Sequence, residues 1–104
     1  MKVLCVCEHG NVRSVALAYL IKTIYKHEAI ALGIKSSSEN TREMLYEWAD
    51  KIIYLDPSIV KNNEIKDKNL AKVSILDVGE DIWHEPFSQE LQHKLLKNLN
   101  KLDL

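Results

Sequence analysis

Four apolar residues in unbroken succession, Val3-Leu4-Cys5-Val6, constrain this chain more than any other stretch. A strand with one solvated face alternates apolar and polar residues. A short run with no polar face is instead read as a strand buried on both sides, inside a parallel sheet covered by helices. The run ends at Cys7. Glu8, His9, Gly10, Asn11 and Val12 follow, then Arg13 and Ser14, where a helical pattern begins at once. A strand that ends in a thiol and turns through a small loop into a helix N-terminus is a device for holding an oxyanion beside a nucleophile.

The remaining pattern fits that start. Leu17, Leu20, Ile21, Ile24 and Glu28 recur at helical spacing, with Lys22, Lys26 and His27 on the other face or near the end, which predicts a helix of about 14 residues. Ala29 to Leu32, closed by Gly33, predicts a second strand. Ser36-Ser37-Ser38 reads as a loop. Asn40 with Glu43 three residues on is a capping-box-like start for a second helix carrying Met44, Leu45 and Trp48 inward. Ile52 to Leu55 predicts a third strand, and Asp56-Pro57 an N-cap followed by a first helical residue. Ser58 to Ile65 reads as a weak helix or turn, leading into a polar connection rich in lysine and asparagine. Val73 to Leu76 predicts a fourth strand, followed by the acidic loop Asp77-Val78-Gly79-Glu80-Asp81. Leu91, Leu95, Leu99 and Leu102 mark a C-terminal helix. Strands alternating with helices give a three-layer α/β/α fold on a four-stranded parallel sheet, with the candidate anion loop after the first strand. Ligands of such sheets bind beyond the carboxyl ends of the strands, so Cys7, Asp56 and Asp77 are expected on one rim.

Bulk properties narrow the function. The 104 residues are read as one domain, 1–104, large enough for a single core. A net charge of -1 gives no global attraction to nucleic acid or to an anionic membrane, so an anion site must be local. No apolar run nears the roughly 18 residues of a membrane span, and the run after Lys2 is too short for a signal peptide, which suggests a cytoplasmic protein. Cys5 and Cys7, one residue apart, make a poor disulfide framework and fit a reducing compartment. No cofactor is called for, and no His/Cys cluster has metal-ligand spacing.

Five residues separate Cys7 from Arg13, and a loop that short can curl its backbone N–H groups inward around one centre. Glu8, His9, Gly10, Asn11, Val12, Arg13 and Ser14 are therefore the candidate phosphate-binding residues. Gly10 suits a position where a Cβ would obstruct close approach. Arg13 can grip two phosphate oxygens with its planar fork, a geometry lysine cannot supply. Helix N-termini favour the thiolate form of a nearby cysteine. Ser14 can donate to that sulfur, or to the departing sulfur of a phosphocysteine.

Cys7-x-x-x-x-x-Arg13-Ser14 after a first strand resembles the low-molecular-weight protein tyrosine phosphatase family, in particular its small, trimmed bacterial-type members. Trp48 to Asp56, read WADKIIYLD, is similar to the family's third strand and the aspartate that ends it. Leu76 to Asp81, read LDVGED, resembles its acid loop. Two departures accompany the likeness. The Gly10-Asn11 pair stands one residue later than the family usually has it. Glu80 falls where the catalytic aspartate normally sits, with Asp81 in the place of the following proline. Cys7-x-x-Gly10-x-x-Arg13-Ser14 also fits the loop of larger tyrosine-specific and dual-specificity phosphatases, which carry it mid-chain in longer proteins.

The resemblance implies a metal-independent phosphatase for phosphotyrosine-like monoesters, acting on a phosphotyrosine-containing protein or a small aryl phosphate; separately, a monomer is expected. Cys7 is then the nucleophile and Arg13 the transition-state clamp. Asp81 or Glu80 is the general acid, with Asp77 third. The alternative is a phosphate-binding pseudophosphatase, or a phosphotyrosine-binding module, that keeps the loop without efficient turnover. A thiol-based arsenate reductase would need resolving cysteines after Cys7, and the sequence has none. A sugar-transport phosphocarrier would not need Arg13.

Other residues carry simpler readings. Cys5, mid-strand, reads as core, with a redox pairing to Cys7 as the alternative; strand neighbours on one face fit disulfide geometry poorly. Asp56 reads as a helix cap and His9 and His84 as exposed loop residues. Trp83 and Tyr54 suit the mouth of a pocket for a flat aryl group, though Tyr54 fits core packing equally, and Trp48 reads as core.

Overall fold

The computed structural model describes residues 1–8, 12–55, 65, 67–78, 85–102 and 104. The Asp56-Pro57 cap, nearly all of the Ser58–Ile65 turn and the Gly79–Asp81 part of the acidic loop lie outside these residues. The chain runs β1 (Lys2–Cys7), α1 (Arg13–Ile24), β2 (Glu28–Gly33), α2 (Glu39–Trp48), β3 (Lys51–Tyr54), α3 (Asp67–Leu70), β4 (Val73–Ile75) and α4 (Gln89–Leu99). The four strands form one all-parallel sheet in the order β2-β1-β3-β4.

The apolar run Val3–Val6 lies in β1, inside the sheet and without solvent exposure. Its side chains alternate between two cores. Val3, Cys5 and Cys7 join Leu17 and Ile21 of α1, Ile53 of β3, and Leu91, Leu95 and Leu99 of α4. Leu4 and Val6 face the other way, to Ile52, Tyr54 and, from the α2 side, Tyr46 and Ala49. With helices on both faces, the fold is the expected three-layer α/β/α. Burying each large aliphatic side chain is worth about 1.5–3 kcal/mol, so the three α4 leucines, spaced four apart, fasten that helix firmly.

Several local expectations are corrected. The α1 stripe does not run to Glu28: the helix stops at Ile24, Lys26 takes a positive φ of 61°, and Glu28 begins β2. The cap of α2 is Ser38, whose Oγ accepts from the Thr41 N–H at 3.2 Å; Asn40 is inside the helix. Met44 points outward at 67% exposure, and Tyr46 takes the buried place. Leu45 and Trp48 are only partly buried. The polar connection contains a short helix, α3, that the pattern does not announce. Leu55 and Leu76 lie just past β3 and β4, yet the Leu55 N–H donates to Val6 O at 2.9 Å and the Leu76 N–H to Tyr54 O at 2.8 Å, extending the ladder.

The topology places the site. From β1 the chain reaches β2 through α1, which packs on one face. It then passes from β2 to β3 through α2, on the other face. The point where successive connections part to opposite faces is where an open α/β sheet leaves a crevice at its carboxyl rim. Cys7 stands at that point.

Candidate active site

Cys7 is the last residue of β1, 1% exposed, and its cross-strand partner in β2 is Gly33. Glycine brings no side chain against the sulfur from that direction. On the far side of the loop, Arg13 and Ser14 open α1. The Cys7 thiol donates a hydrogen bond to Ser14 Oγ at 3.1 Å, so the strand end and the first helical turn meet at these two side chains. Ser14 has no exposure.

Arg13 is 1% exposed, among the largest fully buried side chains of the protein. Burial of a guanidinium is costly unless acceptors or an anion offset it. The residue is engaged within the protein, while its Nε and Nη2 are sealed from solvent and make no hydrogen bond there. The helix N-cap is Val12, which has no side-chain acceptor to turn toward the first-turn N–H groups; α2, by contrast, is capped by a serine hydroxyl. An apolar residue at that position suits a helix end that receives an anion.

The strand neighbours fix the loop's start. Ile34 N–H donates to Cys7 O at 3.0 Å and Lys35 N–H to Glu8 O at 2.8 Å. Lys35 Nζ also pairs with the Glu8 carboxylate. Arg42 of α2 shapes the same turn through Nη1, which donates to Ile34 O at 2.9 Å and to Ser37 O at 2.5 Å. Neither Lys35 nor Arg42 was among the sequence-derived candidates. The readable signal was the pairing of β1 with β2, which sets the residues after Gly33 beside those after Cys7.

The rim carries Asp77 as well. Asp77 is exposed and lies two residues beyond β4, flanked by Leu76 and Val78, both buried in the core that holds Cys7. Two buried neighbours thus commit the start of the acidic loop to the Cys7 face of the sheet. Glu80, Asp81 and Trp83 lie outside the described residues, as do His9, Gly10, Asn11, Asp56 and His84. Tyr54 is in the opposite core, 2% exposed, with its hydroxyl 3.4 Å from that of Tyr46. That is the packing role among its two expected ones.

Cys5 lies one strand step below Cys7 on the same face, fully buried. Burial pushes its thiol well above the usual cysteine range, and the neighbouring Cys7 adds to the rise. Both cysteines are outside any disulfide. Among the described residues no three His, Cys, Asp or Glu side chains group as a metal site requires, and no helix is long and apolar enough to cross a membrane.

Compared with known proteins, the chain matches no family model, and no curated protein or solved structure is significantly similar to it.

Proposed function

We propose that the chain is a cysteine-dependent, metal-independent phosphatase for phosphotyrosine-like monoesters, working in the cytoplasm through a phosphocysteine. The observation that carries this reading is the Cys7–Ser14 contact at 3.1 Å, made at a parallel sheet's carboxyl rim with Arg13 buried in the next position.

In the first step the Cys7 thiolate attacks phosphorus in line with the ester oxygen. The S–P bond forms, the P–O bond breaks, and a carboxylic acid protonates the leaving phenolate. Arg13 and the loop amides hold the equatorial oxygens as charge redistributes over them. In the second step water attacks the phosphocysteine, the same carboxylate takes its proton, and sulfur departs. Ser14 Oγ, already at hydrogen-bond distance, donates to that sulfur as its charge develops. The acid is assigned to Asp81 or Glu80, with Asp77 third. The substrate is a phosphotyrosine-containing protein or a small aryl phosphate, bound by a monomer.

The test is release of p-nitrophenol from its phosphate in the presence of a chelator, for the native protein and Cys7→Ser. The proposal expects chelator-insensitive turnover that Cys7→Ser abolishes. Equal rates in the two proteins, or a strict metal requirement, would overturn it. Phosphate binding without turnover would favour the binding-module alternative.

A further inference from the structure

An acidic side chain is an odd choice for the first residue of a loop read as an anion site. Glu8 directly follows Cys7, and covalent geometry alone keeps its carboxylate within about 11 Å of the sulfur. A fixed negative charge there opposes a phosphate dianion. The turn after β2 answers that charge. Lys35 holds Glu8 twice, by its backbone N–H to Glu8 O at 2.8 Å and by its ammonium to the carboxylate. The turn is itself shaped by Arg42, through the carbonyls of Ile34 and Ser37.

We propose that Lys35 is a positioning residue for the anion site: it neutralises Glu8 and holds it in place, so that the loop accepts a dianionic phosphate. The inference rests on the phosphatase reading and names a determinant outside the Cys7–Ser14 loop. A surface ion pair such as this one, with Glu8 at 35% and Lys35 at 63% side-chain exposure, does little for stability. Its effect is on the local potential. Among the described residues, Arg42 of α2 adds a second cation to the turn that carries Lys35, through its Nη1 on the carbonyls of Ile34 and Ser37.

The experiment titrates inorganic phosphate at low salt and follows the amide resonances of Val12 and Ser14, which needs no turnover. Native protein, Lys35→Met, Lys35→Arg, Glu8→Gln and the double variant Glu8→Gln/Lys35→Met are compared. Lys35→Met is expected to weaken phosphate binding roughly three- to tenfold, an effect that shrinks as salt is raised. Lys35→Arg should restore it to within about twofold, and so should Glu8→Gln in the Lys35→Met background, because removing the carboxylate removes the need for the cation. A Lys35→Met protein that binds as tightly as the native one would overturn the inference while leaving the phosphatase reading intact. So would a double variant as weak as Lys35→Met, since the loss would then be structural. Failure of the native protein to bind phosphate would overturn the phosphatase reading itself, and this inference with it.

Discussion

Cys7 and Ser14, seven residues apart, are joined side chain to side chain at 3.1 Å, with both buried. The contact closes the loop between them and ties the last residue of a central strand to the first turn of a helix. A serine so placed can accept from a thiol and, once the sulfur is ionised, rotate its hydroxyl to donate to it.

If that exchange matters, Ser14→Ala should slow the step in which sulfur departs. A hydrogen bond to a charged atom is worth about 1.5–3 kcal/mol, so kcat should fall roughly ten- to hundredfold and KM should fall with it, leaving kcat/KM near its native value. Stopped-flow release of p-nitrophenol should then show a burst followed by a slower steady state. A variant with native kcat would remove Ser14 from the mechanism.

Arg13 offers a test of geometry against charge. Arg13→Lys keeps the cation and loses the planar fork, and kcat/KM is expected to fall about a hundredfold to a thousandfold. Full activity in the lysine variant, measured with the same substrate, would mean that Arg13 acts only as a positive charge.

Cys5 makes a prediction about stability and pH. Its folded pKa is raised, by burial first and by Cys7 second, from an ordinary value near 9. Above about pH 9 the unfolded chain releases this proton while the folded chain keeps it, so the unfolded state binds fewer protons and stability falls as pH rises. The slope is about 1.4 kcal/mol per pH unit from this one group, and the contribution is fully present below pH 9. Urea unfolding across the alkaline range should show a steeper decline in native protein than in Cys5→Ala. Parallel curves would contradict the assignment.

The α1–β2 turn predicts a stabilising substitution. Lys26 sits at φ 61°, where a Cβ costs free energy and glycine fits. Lys26→Gly should raise unfolding stability by about 0.5–1 kcal/mol, whereas Lys26→Ala, which keeps the Cβ, should not. Denaturant midpoints decide it.

What could be read from the chain divides along physical lines. Val3–Val6 and the leucines at 91, 95 and 99 announce themselves because burial on a strand or one helical stripe leaves a simple period in the sequence. α2 was harder. Its buried stripe is completed by Tyr46 and Ala49, and an aliphatic Met44 misleads because side-chain type alone does not set the helix phase. Three consecutive serines each offer a cap, and Ser38 is selected by where the helix must begin to pack, which is a tertiary choice. For the site, Cys7, Arg13 and Ser14 are legible because a loop links them over a short span. Lys35 and Arg42 reach the same rim only through the pairing of β2 with β1, and no local spacing encodes that.

The phosphocysteine is the centre of the account, and it can be observed directly. Acid-quenching the Ser14→Ala protein during turnover of p-nitrophenyl phosphate, then mapping peptides by mass spectrometry, should find phosphate covalently on Cys7 and none on Cys5. Turnover with no phosphate on Cys7 at any quench time, together with undiminished activity in Cys7→Ser, would contradict it.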